Sequence, residues 1–461
     1  MTNAQTEITN FKSKLDEFAT FAETVFQGNN EFYKKELISK VGHFFGKSIV
    51  VKPTPSVAKL KISSEKQTKA VKINLPNEIW LRILGFMELR DILLNFALTC
   101  KHFNELSLDP WVTRSLMLED INTKIHHKQV IKLLKRSTIM KAIEISNCQN
   151  FNSLISTAFM SSNVLNCVSI RGIYETTKNQ ISRFSNILKN SGQNLEILSL
   201  EGGFQKCLTE GVISKLNNLK ELFLHHQASL TSKELIALGK YCKIEYLLTD
   251  ILCDDQTNVA FETFFKATEN TLKELKISHD WSSGICSSKI NWTEYLSICK
   301  CLEELEIQGS GGPSSLLKGI TELSNLRVLY LNDIGWDYEL SKNITNLFDN
   351  LDLNCIEYFG TYRMNITLEN FMILANRQWP SLEVVCFYHC YDLKLDENTL
   401  KTLISNSPEL EKIHLADTKV DLTDEQVLNF QNQSGVTIGL GYTRDQKLYS
   451  NADFCEICRS Y

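Results

Sequence analysis

The chain has 461 residues and a formal net charge of −5; apolar residues make up 43% and charged residues 22%. That balance belongs to a folded chain rather than a disordered one, and it argues against nucleic-acid binding, which needs clustered Lys and Arg to neutralise phosphates. Neither an apolar run long enough to span a membrane nor a basic stretch leading into an apolar core occurs, so no membrane segment or secretory leader is expected.

In chain order, residues 1–50 come first. Phe11, Leu15, Phe18, Ala22 and Val25 share one helical face, and residues 30–46 repeat the character, so two amphipathic helices are expected. Residues 51–72, VKPTPSVAKLKISSEKQTKAVK, hold six Lys, one Glu and two Pro, which reads as a basic flexible linker.

Residues 73–112 change texture. Pro76 suits the first turn of a helix and Glu78 complements its positive end. Ile79, Ile83, Phe86 and Met87 recur on one face. Leu93, Phe96, Ala97 and Cys100 do the same in a second helix from Asp91, and a third, shorter helix covers Lys101 to Leu106. Three such helices bury little surface unless something covers them, so the module is expected to dock. In Leu75-Pro76-Asn77-Glu78-Ile79, Ile83-Leu84, Met87, Leu89-Arg90-Asp91-Ile92, Cys100-Lys101 and Asp109-Pro110-Trp111 it resembles the F-box. Phe103 stands where that family usually has Trp, and the segment before Trp111 is slightly shortened. The resemblance implies binding of a Skp-family adaptor, and through it of cullin and RING subunits. The adaptor contacts it implies are Leu75, Pro76, Glu78, Ile79, Ile83, Leu84, Met87, Leu89, Ile92 and Trp111. The plainer alternative is a cap on the domain that follows. Residues 113–138 are expected to be connecting helices that cap the next domain.

From residue 139 to 440 a repeat dominates. Segments anchored at Met140, Leu165, Leu195, Leu219, Ile244, Leu272, Leu302, Leu326, Ile356, Leu382 and Leu410 read apolar-x-x-apolar-x-apolar, at spacings of 24 to 30 residues with a mean of 27. Between them, 208–218, 231–242, 258–270 and 368–378 carry apolar residues at helical spacing. The pattern resembles the leucine-rich repeat. The expected fold is an α/β leucine-rich-repeat solenoid, a horseshoe with parallel strands inside and helices outside, preceded by a small all-α F-box bundle and N-terminal helices. Each strand is too short to bury its apolar face alone, and stacking completes the core.

Alternation along each strand places the second, fourth and sixth residues after the anchor on the concave face. Candidate target contacts there are Glu201, Glu221, Phe223, His225, Tyr246, Glu274, Glu304, Glu306, Tyr330, Tyr358, Tyr362 and Tyr388. The middle is acidic, which favours a partner protein with a basic segment. The C-terminal end is rich in Tyr, a favoured interface anchor.

The tail, 441–461, ends FCEICRSY; its lone Cys-x-x-Cys lacks two further zinc ligands. The fourteen Cys are scattered through apolar segments, as in a reducing compartment, so cytoplasm or nucleus is the expected location. No nucleophile constellation, phosphate loop or metal cluster stands out, and no cofactor is expected. The leading functional reading is a non-catalytic substrate receptor of a ubiquitin ligase; the alternative is a repeat scaffold that binds a partner without ubiquitination.

Overall fold

The computed structural model describes residues 77–84 and 92 and, with short gaps, residues 100–440. The expected N-terminal helices, the basic linker and the C-terminal tail lie outside the described residues. The chain divides into two units, Met1–Met117 and Leu118–Tyr461.

In the first unit, α1 (Asn77–Leu84) and α2 (Lys101–Ser107) are the described helices. Trp80 and Leu84, one turn apart on α1, join Ile92, Leu106 and Val112 in one buried cluster, with Leu81 and Phe103 packed against it. Trp80 meets Phe103 edge-on, ring centroids 4.7 Å apart, an arrangement that aromatic quadrupoles favour.

The second unit is a parallel sheet built from the expected segments. Its strands are β1 (Ser115–Glu119, across which the division falls), β2 (Ala142–Ser146), β3 (Cys167–Arg171), β4 (Ile197–Glu201) and β5 (Glu221–His225), then the two-residue β6 (Ser229–Leu230) and β7 (Tyr246–Ile251). There follow β8 (Glu274–Ser278), β9 (Glu304–Gln308), β10 (Val328–Asn332), β11 (Tyr358–Tyr362) and β12 (Val384–Tyr388). The last are β13 (Lys394–Leu395), β14 (Lys412–His414), β15 (Lys419–Val420) and β16 (Thr437–Gly439). They stack in sequence order in one sheet, except that β6 hangs off β7 and β13 pairs separately with β15. Because each strand pairs with the next repeat's, backbone groups find partners without any strand being long.

One expectation fails at the start. The segment expected to connect by helices, 113–138, contains β1 before the helix Lys124–Leu134. Leu116 and Leu118 are buried while Ser115, Met117 and Glu119 are exposed. The sheet therefore begins ahead of residue 139. The return path of 208–218 also shortens: its α-helix is a single turn, Glu210–Ile213.

Elsewhere the helices match the apolar spacing. The helix Ser232–Tyr241 buries Leu235, Ala237 and Leu238, and Thr257–Thr268 buries Ala260, Phe261, Phe264 and Phe265. Gly239 lets these two helices touch, since a Cβ there would lie 2.9 Å from the Phe264 Cα. Capping boxes start several helices, as where the Thr177 side chain accepts from the Gln180 N–H and Gln180 reaches back to the Thr177 N–H.

In six repeats the seventh residue after the anchor turns the chain out of the strand, whereas Ile251, the seventh after Ile244, stays in β7. Asn147, Gly172, Gly202, Asp333, Arg363 and His389 occupy that position with φ between 50° and 68°. Glycine, Asn and Asp tolerate this conformation best. The turn still extends the ladder by one bond: Asp333 N–H donates to the Tyr362 carbonyl at 2.7 Å, and Arg363 N–H to that of Tyr388 at 2.9 Å.

Candidate binding surface

In the F-box-like module the sequence-derived contacts separate into groups. Leu84 and Ile92 are 0% and 2% exposed within the module's own cluster; they hold it together and are not outward groups. Trp111 is 59% exposed. Its N–H donates to Asp109 Oδ1 at 2.8 Å, and the Arg114 guanidinium lies 5.3 Å from its ring centroid. Glu78, Ile79 and Ile83 belong to α1, but their side chains lie outside the described residues, as do Leu75, Pro76, Met87 and Leu89 entirely. Trp80, the centre of the cluster, carries no mark in the motif; its place one turn before Leu84 was the available signal.

The sheet face away from the helices reads as three columns in register. The second column runs Ile197, Glu221, Tyr246, Glu274, Glu304, Val328, Tyr358, Val384. The fourth runs Ser199, Phe223, Leu248, Lys276, Glu306, Tyr330, Gly360, Cys386. The sixth, from β8 onward, runs Ser278, Gln308, Asn332, Tyr362, Tyr388. The alternating residues point toward the helices and are buried, as Leu222 and Leu224 show in β5.

Three of the expected target contacts are buried instead. Glu201 is 6% exposed, and its Oε2 accepts from the Gly172 N–H at 2.6 Å; it braces the left-handed turn of the preceding repeat. Tyr330 and Tyr358 are 1% and 8% exposed and cluster with Cys386, flanked by Val328, Tyr362, Val384 and Tyr388. The reason is Gly360. A Cβ there would lie 2.4 Å from Tyr330 Cδ2 and 2.9 Å from Tyr358 Cε1, so the missing side chain lets the rings settle onto the sheet. Tyr362 and Tyr388 stay half-buried and stack with centroids 5.1 Å apart. His389 meets both edge-on, and Arg363 lies over Tyr362. Phe223 and His225 are half-buried and stack at 6.4 Å.

The acidic middle is brought together as expected. Glu221, Glu274, Glu304 and Glu306 are all half-buried, with Tyr246 between the first two. Lys276 Nζ lies 2.7 Å from Glu274 and 4.0 Å from Glu306. Burial, with the nearby carboxylates of Glu274 and Glu304, pushes the Glu306 carboxyl up to about 7 despite Lys276. Burial and Glu274 likewise raise Glu304, and burial with Glu245 and Glu274 raises Glu221. Burial works against the Lys276 charge, but Glu274 and Glu306 hold its pKa above the usual lysine value. The surface is thus an apolar and aromatic patch abutting a strained acidic one.

Among the described residues no group of three or more His, Cys, Asp or Glu could hold a metal ion, and no helix is long and apolar enough to cross a membrane.

Residues 73–119 match the F-box-like family model. No curated protein matches the chain. One similar solved structure is a chain of the yeast Rad7 and Elc1 complex, 16% identical over 78% of this chain and 92% of that one, with a TM-score of 0.43. Another is the internalin InlF of Listeria monocytogenes, 12% identical over 77% of this chain and 94% of that one, with a TM-score of 0.38. The chain therefore carries an F-box-like domain at residues 73–119, ahead of a parallel-sheet solenoid of leucine-rich-repeat type.

Proposed function

We propose that the chain is the substrate-recognition subunit of a ubiquitin ligase of the cullin–RING type, working in the cytoplasm or nucleus. The observation that carries this reading is the F-box-like match over residues 73–119, standing before a long sheet face with half-buried aromatic and acidic groups. The F-box-like domain binds a Skp-family adaptor, and through it the cullin and RING subunits. The sheet face binds the target. The chain supplies no catalytic group; it holds a target lysine near the conjugating enzyme's thioester at high effective concentration. Leu75, Pro76, Ile79 and Ile83 provide the apolar contacts to the adaptor, and Trp111 contributes its exposed ring.

Co-expression with a Skp-family adaptor followed by size-exclusion chromatography tests this. The wild type co-elutes with the adaptor, and the double variant Leu75→Ala, Pro76→Ala does not. Failure of the wild type to bind the adaptor removes the ligase reading and leaves a repeat scaffold.

A further inference from the structure

Along the sheet face the charge changes character. The first column, directly after each anchor, neutralises itself: Lys220 Nζ lies 2.9 Å from Glu196, Lys273 Nζ 2.8 Å from Glu245, and Arg327 pairs with Glu303 and bidentately with Glu357. The carboxylates of the second and fourth columns end at β9. From β10 to β16 the paired residues of the second, fourth and sixth columns include no Asp or Glu, and Lys412 on β14 adds a positive charge.

At the far end of these strands stands a cation that no acid meets. Arg363 is exposed, and its guanidinium lies over the Tyr362 ring, 5.1 Å from the centroid. Among the described residues no carboxylate pairs with it. Asp333, at the same position one repeat earlier, gives its N–H to the Tyr362 carbonyl and makes no ion pair with Arg363. Asp396 is committed as the N-cap of the helix Glu397–Ser405, accepting from the Thr399 N–H at 2.8 Å. Glu383 and Glu411 stand at the opposite ends of their strands, in the first column, about 20 Å from the turns. Stacking thus holds the guanidinium in place without neutralising it. The backbone makes the residue choice more telling. Its φ is 50°, and the other five turns use Gly, Asn, Asp or His, which enter that conformation more readily. A long side chain carries a cost there.

Around Arg363 the rings supply a floor and further donors. Tyr362 and Tyr388 stack at 5.1 Å, and the His389 ring meets them edge-on at 5.3 and 4.3 Å. All three are half-buried. Phenol hydroxyls and imidazole can donate hydrogen bonds, and the guanidinium fork matches a carboxylate in geometry. Val384, packed against the same tyrosine cluster, adds apolar surface. We propose that Arg363, with Tyr362, Tyr388 and His389, forms a seat for the side-chain carboxylate, Asp or Glu, of a partner's extended peptide, with a neighbouring apolar side chain of that peptide on Val384. This deepens the receptor reading and rests on it for its biological purpose.

Random dodecapeptides displayed on phage are selected on the full-length chain, and those recovered are synthesised with a fluorescein label and titrated by anisotropy. The recovered sequences carry Asp or Glu beside an aliphatic or aromatic residue, and changing that acid to its amide weakens binding about tenfold. Arg363→Asn weakens the same peptides about tenfold while its thermal midpoint is unchanged or raised, because Asn suits the left-handed turn. Arg363→Lys recovers only part of the loss, since an ammonium lacks the fork. Tyr362→Leu, which removes the stack, weakens binding about threefold. Arg183→Gln, exposed on the helix Lys178–Ser191, leaves it unchanged. Recovered peptides without acid enrichment, or equal binding by Arg363→Asn and wild type, overturn the seat. So does a selection that yields nothing above background on a chain with an intact melt. A lowered Arg363→Asn midpoint that accompanies the lost binding also overturns it, by making Arg363 a structural group. Adaptor co-elution, measured on the same preparations, reports separately on the ligase reading.

Discussion

Replacing Glu306 with Gln should make the protein more stable, and by an amount set by pH. The side chain is 12% exposed, so little solvent screening dilutes the effect. Its folded carboxyl titrates at about 7 against an ordinary value of 4.5. Below pH 4.5 both folded and unfolded chains hold the proton, and the neutral Gln changes nothing. Between 4.5 and 7 the unfolded chain releases a proton that the folded chain keeps, so wild-type stability falls as pH rises. At 1.36 kcal/mol per pKa unit, the full difference is ~3 kcal/mol above pH 7. It is an upper figure, because Glu304 is raised by burial and repulsion as well and titrates together with Glu306. Lys276 keeps its 2.7 Å partner Glu274 in the variant, so no ammonium is orphaned. Urea unfolding of wild type and Glu306→Gln, followed by circular dichroism at pH 5, 6, 7 and 8, measures it. A shift in midpoint that is small at pH 5 and grows to pH 8 is expected. A shift independent of pH, or a variant less stable than wild type at pH 8, refutes the electrostatic account.

Gly360→Ala should cost ~1–3 kcal/mol by overpacking Tyr330 and Tyr358, read as a lower thermal midpoint; Tyr330→Leu in the same chain should recover part of the loss, and strictly additive effects would disprove the contact. Gly172→Ala should cost at least ~1–2 kcal/mol, because the position has φ 65° and the new Cβ would lie 2.1 Å from Asn147 Oδ1; an unchanged melt contradicts the turn geometry. Trp80→Ala should cost ~3–5 kcal/mol in the F-box-like domain and abolish adaptor co-elution together with protease resistance of that domain. Trp111→Ala should weaken the adaptor while leaving that resistance intact; loss of both would make Trp111 part of the core.

The solenoid was legible because its signal repeats: eleven apolar anchors in register leave little room for another fold. Single features were not. SLMLE before the first anchor alternates correctly, but over only two buried leucines, too short a run to separate from a helix. Alternation also told which face Tyr330 occupies, yet not that it would be buried there. That depends on Gly360 in the next repeat, thirty residues along the chain. Glu201 looked like one more acidic surface group because its partner, the Gly172 N–H, is 29 residues away. The acidic cluster was legible because columns follow directly from register. Its excess charge was not, since that rests on which lysines are already committed to neighbours.

The left-handed turn at the seventh position bears on how such an array can change length. Spacings between anchors vary from 24 to 30 residues, yet in six repeats the left-handed turn lies at the same distance from its anchor. An added residue inside that frame would flip the strand's buried and open faces and break the bond from the turn to the neighbouring strand. Growth and loss are therefore channelled to the return path beyond the turn. A comparison of related chains should find their insertions there, so that the polypeptide can diversify its return path while the ruled sheet face keeps its grid.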